Sequence, residues 1–133
     1  MIPPFFVQVR FVDVDVMGHV NNAVYLNYFE TARMHYFKYM LGENWDWNKD
    51  GIILLKNELE YLKPVLMNHS PQIVISVDHI GSKSFVLGYK VLVDGELYCK
   101  GTSVLVGYDN FKGKSIEIPP KMKSSLLKLK EEQ

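Results

Sequence analysis

A short polar run, residues 13–22, contains the side chains of this sequence that are best suited to chemistry. Asp15 is the second acid of an Asp-Val-Asp pair, and a carboxylate can accept a proton from an attacking water or attack a carbonyl carbon itself. Asn21 or Asn22 suits the N-cap of a following helix, because its side-chain oxygen can accept from an early helical amide. The remaining free amides and the helix dipole favour negative charge at this position.

This combination is suited to the hydrolysis of an acyl thioester. A thiolate departs readily, so a positioned water or nucleophile and donors for the oxyanion are sufficient, and one such donor is typically worth about a hundred- to a thousandfold in rate. Asp15 can therefore act as the general base for water, or as the nucleophile that forms an acyl-aspartyl anhydride. Both roles are compatible with the sequence.

The patterns on either side of the polar run predict a strand before it and a helix after it. Residues 5–12 follow the two-residue period of a half-buried strand, with Phe5, Val7, Val9 and Phe11 on one face. Asp13 is expected to turn the chain after this strand. Beyond Asn22, apolar side chains recur at helical spacing up to Gly42, a typical helix stop. They are Tyr25, Tyr28, Phe29, Ala32, Tyr36, Phe37 and Met40.

Four further strands are predicted after residue 51, at 52–62, 72–80, 85–93 and 97–106. Asp94-Gly95 suits the two-residue type I′ turn of a hairpin, and the turn at residues 81–84 joins the preceding pair. Because the helix also has apolar residues off its main stripe, we expect sheet to cover much of its circumference. The pattern predicts an α+β fold in which an antiparallel sheet of about five strands is wrapped around one long central helix. Residues 121–133 form either a short amphipathic helix or a solvated tail.

Composition and charge restrict the class of protein. The 133 residues are 47% hydrophobic and contain no linker or repeat, so one domain, 1–133, is expected. Lys plus Arg equals Asp plus Glu at 15 each, so no net field favours a nucleic acid or an anionic membrane. No apolar stretch reaches the length that spans a bilayer. The single cysteine, Cys99, and the lack of a signal-peptide pattern predict a cytoplasmic protein.

The polar run and the helix start resemble the signature of the hot-dog acyl-CoA thioesterases. The resemblance is carried by Asp13-Val14-Asp15, Gly18-His19-Val20-Asn21-Asn22, Tyr25 and Asn27-Tyr28-Phe29-Glu30. It is closest to the 4-hydroxybenzoyl-CoA thioesterase family, and the His-Val-Asn-Asn-x-x-Tyr portion is also similar to the plant acyl-carrier-protein thioesterases. The resemblance implies a hot-dog fold through about residue 108.

The same resemblance implies roles for individual residues. Asp15 corresponds to the catalytic carboxylate, and the backbone amide of Asn22 corresponds to the oxyanion hole. The acyl-carrier-protein branch implies that His19 orients water or acts as an acid or base, but the asparagine that this branch places two positions after the aspartate is Met17 here. Many bacterial members of the acyl-CoA branch have histidine at the position of Asn22.

The resemblance also implies the partners. The substrate is an acyl-CoA or an acyl-carrier-protein thioester. The protein is expected to form a homodimer, often paired into a homotetramer, with two equivalent sites in clefts that the subunits share. No nucleic acid and no membrane are expected as partners.

Two further residues are candidates for substrate binding. Tyr25 belongs to the helix core and is also expected to line the acyl pocket near the helix start. Lys83 lies in a turn, where a solvated lysine is common, and its functional interpretation is a contact with the phosphates of coenzyme A. The four histidines and Cys99 lack metal-ligand spacing, so neither a metal nor a cofactor is expected.

Two other functions remain open at this point. A hot-dog domain can serve as a non-catalytic module that binds acyl thioesters or regulates, although no appended helix-turn-helix is present. A dehydratase of hydroxyacyl thioesters is less favoured, because no His-Phe-Pro-Gly-type segment precedes the helix.

Overall fold

The computed structural model describes residues 2–133, which contain six strands and two α-helices. In chain order the elements are β1 (Phe5–Phe6), a 3₁₀ turn (Phe11–Asp13), α1 (Val24–Leu41), β2 (Gly51–Tyr61), β3 (Gln72–Ile80), β4 (Ser84–Val93), β5 (Glu96–Asp109), β6 (Lys114–Ile116) and α2 (Pro120–Glu132). The strands form one antiparallel sheet in the order β1-β3-β4-β5-β2, and β6 pairs with β5. The α+β class, the long helix and an antiparallel sheet of about five strands are confirmed.

The chain divides into two compact units, and each contains a part of α1 and of the sheet. The first unit comprises residues 2–36, 59–75 and 89–101. Its core is built on the predicted helix stripe, since Tyr25, Tyr28, Phe29 and Ala32 are all buried. The Phe29 ring stacks on Tyr89 of β4, with ring centroids 4.2 Å apart. The first half of α1 is therefore held by aromatic packing.

The second unit comprises residues 37–58, 76–88 and 102–133. Here Phe37 of α1 packs edge-on against Phe85 and Trp47, with ring centroids 6.4 Å and 5.4 Å away. The C-terminal residues form α2 and not a tail, because Met122 and Leu126 are buried in this unit.

Local signals for helix and hairpin ends are confirmed. Gly42 has a φ of +89° and donates to Lys38 O at 2.9 Å, the geometry of a helix stop. Asp94 and Gly95 have φ values of +50° and +80°, as a type I′ turn between β4 and β5 requires. The apolar residues Leu26 and Tyr39, which lie off the main helix stripe, are exposed in the single chain.

The predicted first strand is wrong in its length. Only Phe5 and Phe6 pair with β3, and the alternation continues no further than the buried Val9. Phe11, expected on the inner face, is 78% exposed. The reason is that the Asp13 side chain bonds the Arg10 N–H and winds residues 11–13 into the 3₁₀ turn. The three-residue β6 was not predicted, because so short a strand carries no periodic signal.

Candidate active site

The polar run forms a closed loop that leads into α1. Asp15 N–H donates to His19 O at 2.8 Å, and Gly18 N–H donates to Asp15 O at 2.9 Å. Gly18 has a φ of +76°, which favours glycine, and the loop needs this conformation to turn back. Val14 and Val20 pair as an isolated antiparallel bridge. The loop therefore brings Asp15 opposite His19.

The start of α1 leaves one amide free beside this loop. Asn21 is the capping residue, since its Oδ1 accepts from Ala23 N–H at 3.0 Å and its backbone oxygen accepts from Val24 N–H at 2.9 Å. Asn21 N–H donates to Asp13 O at 2.8 Å. The N–H of Asn22 donates no hydrogen bond within residues 2–133. Asn22 therefore offers an unpaired donor at the positive end of the helix dipole.

A cavity of about 220 Å³ opens beside the loop in the first unit and brings four of the predicted site residues together. Its lining consists of Asp15, His19, Val20, Asn22, Tyr25, Tyr61, Leu62, Lys63 and Pro64. The fifth predicted residue, Lys83, does not line it. Lys83 lies in the turn before β4, in the second unit, and its contact with coenzyme A remains a prediction.

The Asp15 carboxylate has one anchored oxygen and one free oxygen. Oδ1 accepts from Met17 N–H at 2.9 Å and from His19 N–H at 3.3 Å. Oδ2 accepts no hydrogen bond within the described residues 2–133. Asp15 is exposed in the single chain although it lines the cavity. The loop thus fixes the orientation of the Asp15 carboxylate through Oδ1 and leaves Oδ2 available to a water or a substrate.

Tyr61, the last residue of β2, is a site residue that the sequence did not reveal. Its hydroxyl donates to the Asn22 carbonyl at 2.8 Å. Its ring packs edge-on against the buried Tyr25, with centroids 5.0 Å apart. Burial raises the pKa of both phenols, so both are protonated donors at neutral pH. No local pattern marks Tyr61, because its partner Asn22 is 39 positions away in sequence.

Lys63 is the second residue of the cavity that was not predicted. It follows β2 and stands next to Pro64 in the cavity wall. Its ammonium group forms an ion pair with Glu96 and lies 5.8 Å from the Tyr98 ring centroid. The cation is therefore already engaged at the cavity rim.

Asp13 lies beneath the loop and is 1% exposed. Burial acts to raise the pKa of its carboxyl, but hydrogen bonds from the Arg10 amide, the Arg10 guanidinium and the Tyr28 hydroxyl outweigh burial and lower it. A pKa below the ordinary value keeps Asp13 negatively charged at neutral pH. As expected from the sequence, Asp13 ends the first extended segment, here through the 3₁₀ turn.

The single thiol of the chain is unsuited to nucleophilic chemistry. Burial, with a smaller effect of Glu60, raises the pKa of the Cys99 thiol to about 11, so this cysteine is protonated at neutral pH and is a poor nucleophile. Within residues 2–133, no three His, Cys, Asp or Glu side chains are grouped closely enough to hold a metal ion. Over the same residues, no helix is both long and apolar enough to cross a membrane.

A long helix and an antiparallel sheet, with a polar loop leading into the helix, are the architecture of the hot-dog fold. The chain belongs to the thioesterase-like superfamily, whose sequence model matches residues 9–126. This membership supports acyl-thioester hydrolysis as the general activity.

The chain is also similar to individual proteins. The chain is 31% identical over 124 residues to the uncharacterized protein YsmA of Bacillus subtilis (strain 168), a match that covers 91% of this chain and 82% of that protein. It is 30% identical to a thioesterase of Thermus thermophilus solved with coenzyme A and Zn, with a TM-score of 0.84 over 96% of this chain and 93% of the other. The gentisyl-coenzyme A thioesterase BH1999 is 19% identical, with a TM-score of 0.83 over 93% and 99% of the two chains, and shares the fold.

Proposed function

We propose that this protein hydrolyses an acyl-CoA to a free acid and coenzyme A, with Asp15 as the catalytic carboxylate. The observation that carries the proposal is the shared cavity, which is lined by Asp15, whose Oδ2 is free, and by Asn22, whose N–H is unpaired within residues 2–133. Coenzyme A is favoured as the carrier because the Thermus relative was solved with it. An acyl-carrier-protein thioester presents the same reacting group and is the alternative carrier.

The reaction follows from the chemistry of these two groups. The thioester carbonyl oxygen binds at Asn22 N–H, where the donor and the helix dipole stabilise the developing oxyanion. Asp15 Oδ2 takes a proton from water while the water oxygen attacks the carbonyl carbon, or attacks that carbon itself. The C–S bond then breaks and the thiolate leaves. In the first route the acid is free at this point, and the thiolate takes the proton that Asp15 accepted from water. In the second route a water hydrolyses the acyl-aspartyl anhydride, which releases the free acid, restores the Asp15 carboxylate and supplies the proton for the thiolate.

The remaining predicted residues receive supporting roles in this proposal. The backbone of His19 bonds Asp15, and its ring is assigned to orienting the attacking water. Tyr25 gives the cavity an aromatic wall against which an acyl chain or ring packs. Lys83 is assigned to the phosphates of coenzyme A.

A substrate panel tests the function. Short-chain, long-chain and aromatic acyl-CoAs are incubated with the protein and free thiol is measured, with acyl-carrier-protein thioesters in parallel. We expect thiol release from at least one acyl-CoA, at a rate proportional to enzyme concentration. Saturable binding of acyl-CoA with no hydrolysis would instead indicate a binding module. Hydration of an enoyl-CoA would indicate a dehydratase.

We further propose a homodimer that pairs through β2; a homotetramer built from two such dimers is the alternative. β2 is the edge strand of the sheet and exposes Leu54 and Leu55, and an apolar edge strand invites pairing with another chain. At the site, Val16 and Met17 are also exposed beside the exposed Asp15. A second subunit over the loop would shield the carboxylate from bulk solvent.

Leu55→Lys is expected to convert the dimer into a monomer, because a lysine on an edge strand opposes pairing. Leu55 is 61% exposed in the single chain, so the change leaves its fold intact. Light scattering during size-exclusion chromatography measures the molecular mass. We expect the dissociation constant of the dimer to rise by at least about tenfold. Leu127→Lys on α2, at another exposed leucine, is the control and keeps the parent mass. A variant that stays dimeric contradicts pairing at this strand.

Tyr61→Phe is expected to lower kcat by about three- to tenfold with little change in KM, because one hydrogen bond to the Asn22 peptide is worth about 0.5–1.5 kcal/mol. The ring and its packing on Tyr25 remain. Steady-state rates on the best acyl-CoA of the panel provide the measurement. Tyr108→Phe, at a residue outside the cavity lining, is the control and keeps the parent kcat. An unchanged kcat in Tyr61→Phe would show that the Tyr61 hydroxyl does not contribute to catalysis.

A further inference from the structure

The buried Asp13 carboxylate is the centre of a polar cluster, in which its partners are the buried Tyr28 and the exposed Arg10. Oδ2 accepts from Arg10 N–H at 2.9 Å and from the Tyr28 hydroxyl at 2.8 Å. Oδ1 accepts from the Arg10 guanidinium at 3.0 Å. Three donors thus converge on one buried carboxylate. Two of them come from Arg10, which precedes residues 13–22, the candidate active-site loop.

This cluster joins the loop to α1 at two points. The side chain of Asp13 bonds Tyr28, which is one turn into α1. The backbone oxygen of Asp13 bonds Asn21 N–H at 2.8 Å, directly before Asn22. Asp15 is only two residues beyond Asp13, and its own N–H is bonded to His19 O. Backbone hydrogen bonds therefore tie both Asp13 and Asp15 to residues at or just before the helix start.

From this arrangement we infer that Asp13 is a positioning residue for thioester hydrolysis, which holds the Asp15 carboxylate in place relative to the Asn22 amide. The inference rests on the proposed function. Asp13 is buried and does not line the cavity, so it acts through Asp15 and does not touch the substrate. A displacement of about 1 Å in a reacting group can cost about a hundredfold in rate. Loss of this buried anchor, two residues from Asp15, would therefore lower the rate by displacing the Asp15 carboxylate.

Asp13→Asn tests this inference with minimal change of shape. An asparagine offers one acceptor oxygen and an NH₂ group, so at least one of the three donors then faces another donor. We expect kcat to fall about ten- to a hundredfold while KM stays within about threefold. Tyr28→Phe removes only the bond to α1, and a fall of about three- to tenfold in kcat is expected. If Asp13→Asn does not fold, Tyr28→Phe carries the test.

A double variant separates positioning from a general loss of structure. Because Asp13 acts through Asp15, adding Asp13→Asn to Asp15→Asn should change the residual rate by less than about twofold. Ser103→Ala is the control for buried hydrogen bonds, since Ser103 is buried and donates to Asn57 Oδ1 at 2.6 Å. It should lower the melting temperature and leave kcat unchanged.

The outcomes distinguish this inference from the proposed function. An active parent whose kcat is kept by both Asp13→Asn and Tyr28→Phe overturns the inference alone. The inference alone is also overturned if, in the double variant, the losses in rate caused by Asp13→Asn and Asp15→Asn multiply. A parent that hydrolyses no acyl-CoA overturns the proposed function, and the inference with it.

Discussion

Asp15→Asn is expected to lower kcat for acyl-CoA hydrolysis by at least about a hundredfold, with KM nearly unchanged. The amide keeps the size of the side chain, and its oxygen can still accept from Met17 N–H and His19 N–H. The position of the free Oδ2 then carries an NH₂ group, which neither accepts a proton nor attacks a carbonyl carbon. The loop therefore persists, while the proposed base or nucleophile is lost.

The rate of thiol release and a thermal melt of the same sample measure this effect. Asp46→Asn is a matched control, because Asp46 is also exposed and its Oδ1 also accepts two backbone amides, from Asn48 at 3.1 Å and Lys49 at 3.2 Å. This control should retain the parent kcat. Equal turnover by the parent and a folded Asp15→Asn protein would refute the role of Asp15.

The second large effect is expected for Phe29→Ala, with a loss of about 3–5 kcal/mol in the free energy of unfolding. Phe29 is 1% exposed and stacks on Tyr89 with an interplanar angle of 5°. Its removal takes apolar contact area from the half of α1 that begins at the active-site loop, and the neighbouring rings cannot fill the cavity completely. This change should therefore destabilise the helix that presents the Asn22 amide.

Urea unfolding at one fixed protein concentration measures the difference, because the stability of an oligomer depends on concentration. Phe111→Ala is the matched control, since Phe111 is 75% exposed and its loss should cost no more than about 0.5 kcal/mol. A Phe29→Ala protein destabilised by less than about 1 kcal/mol would show that this aromatic stack is not a major part of the core.

Features encoded by neighbouring residues could be predicted well. The stripe of α1 follows from apolar side chains at helical spacing, and Gly42 and Asp94-Gly95 are recognised by their need for positive φ. The active-site loop is of the same kind, because its glycine, its acid and its capping asparagine lie within nine residues, 13–21. The local pattern indicated Asp15, Asn22 and Tyr25, and the resemblance to the acyl-carrier-protein thioesterases added His19. All four line one cavity.

Features that depend on distant contacts could not be predicted. Tyr61 reaches Asn22 from the end of β2, and Tyr28 reaches Asp13 across 15 positions, so neither bond leaves a periodic or spaced signal. The first strand ends early because the Asp13 carboxylate turns the chain at Arg10, which competes with the alternation up to Phe11.

The order of residues 13–22 was thus enough to predict the loop and to indicate Asp15 as the candidate acid, because short-range hydrogen bonds and φ preferences are properties of adjacent residues. The burial of Asp13, the tyrosine on the Asn22 carbonyl and the extent of α2 arise only when separate segments pack together. Packing depends on the shapes of side chains and on the pairing of polar groups from segments that are distant in sequence. A short stretch of sequence does not reveal either of them.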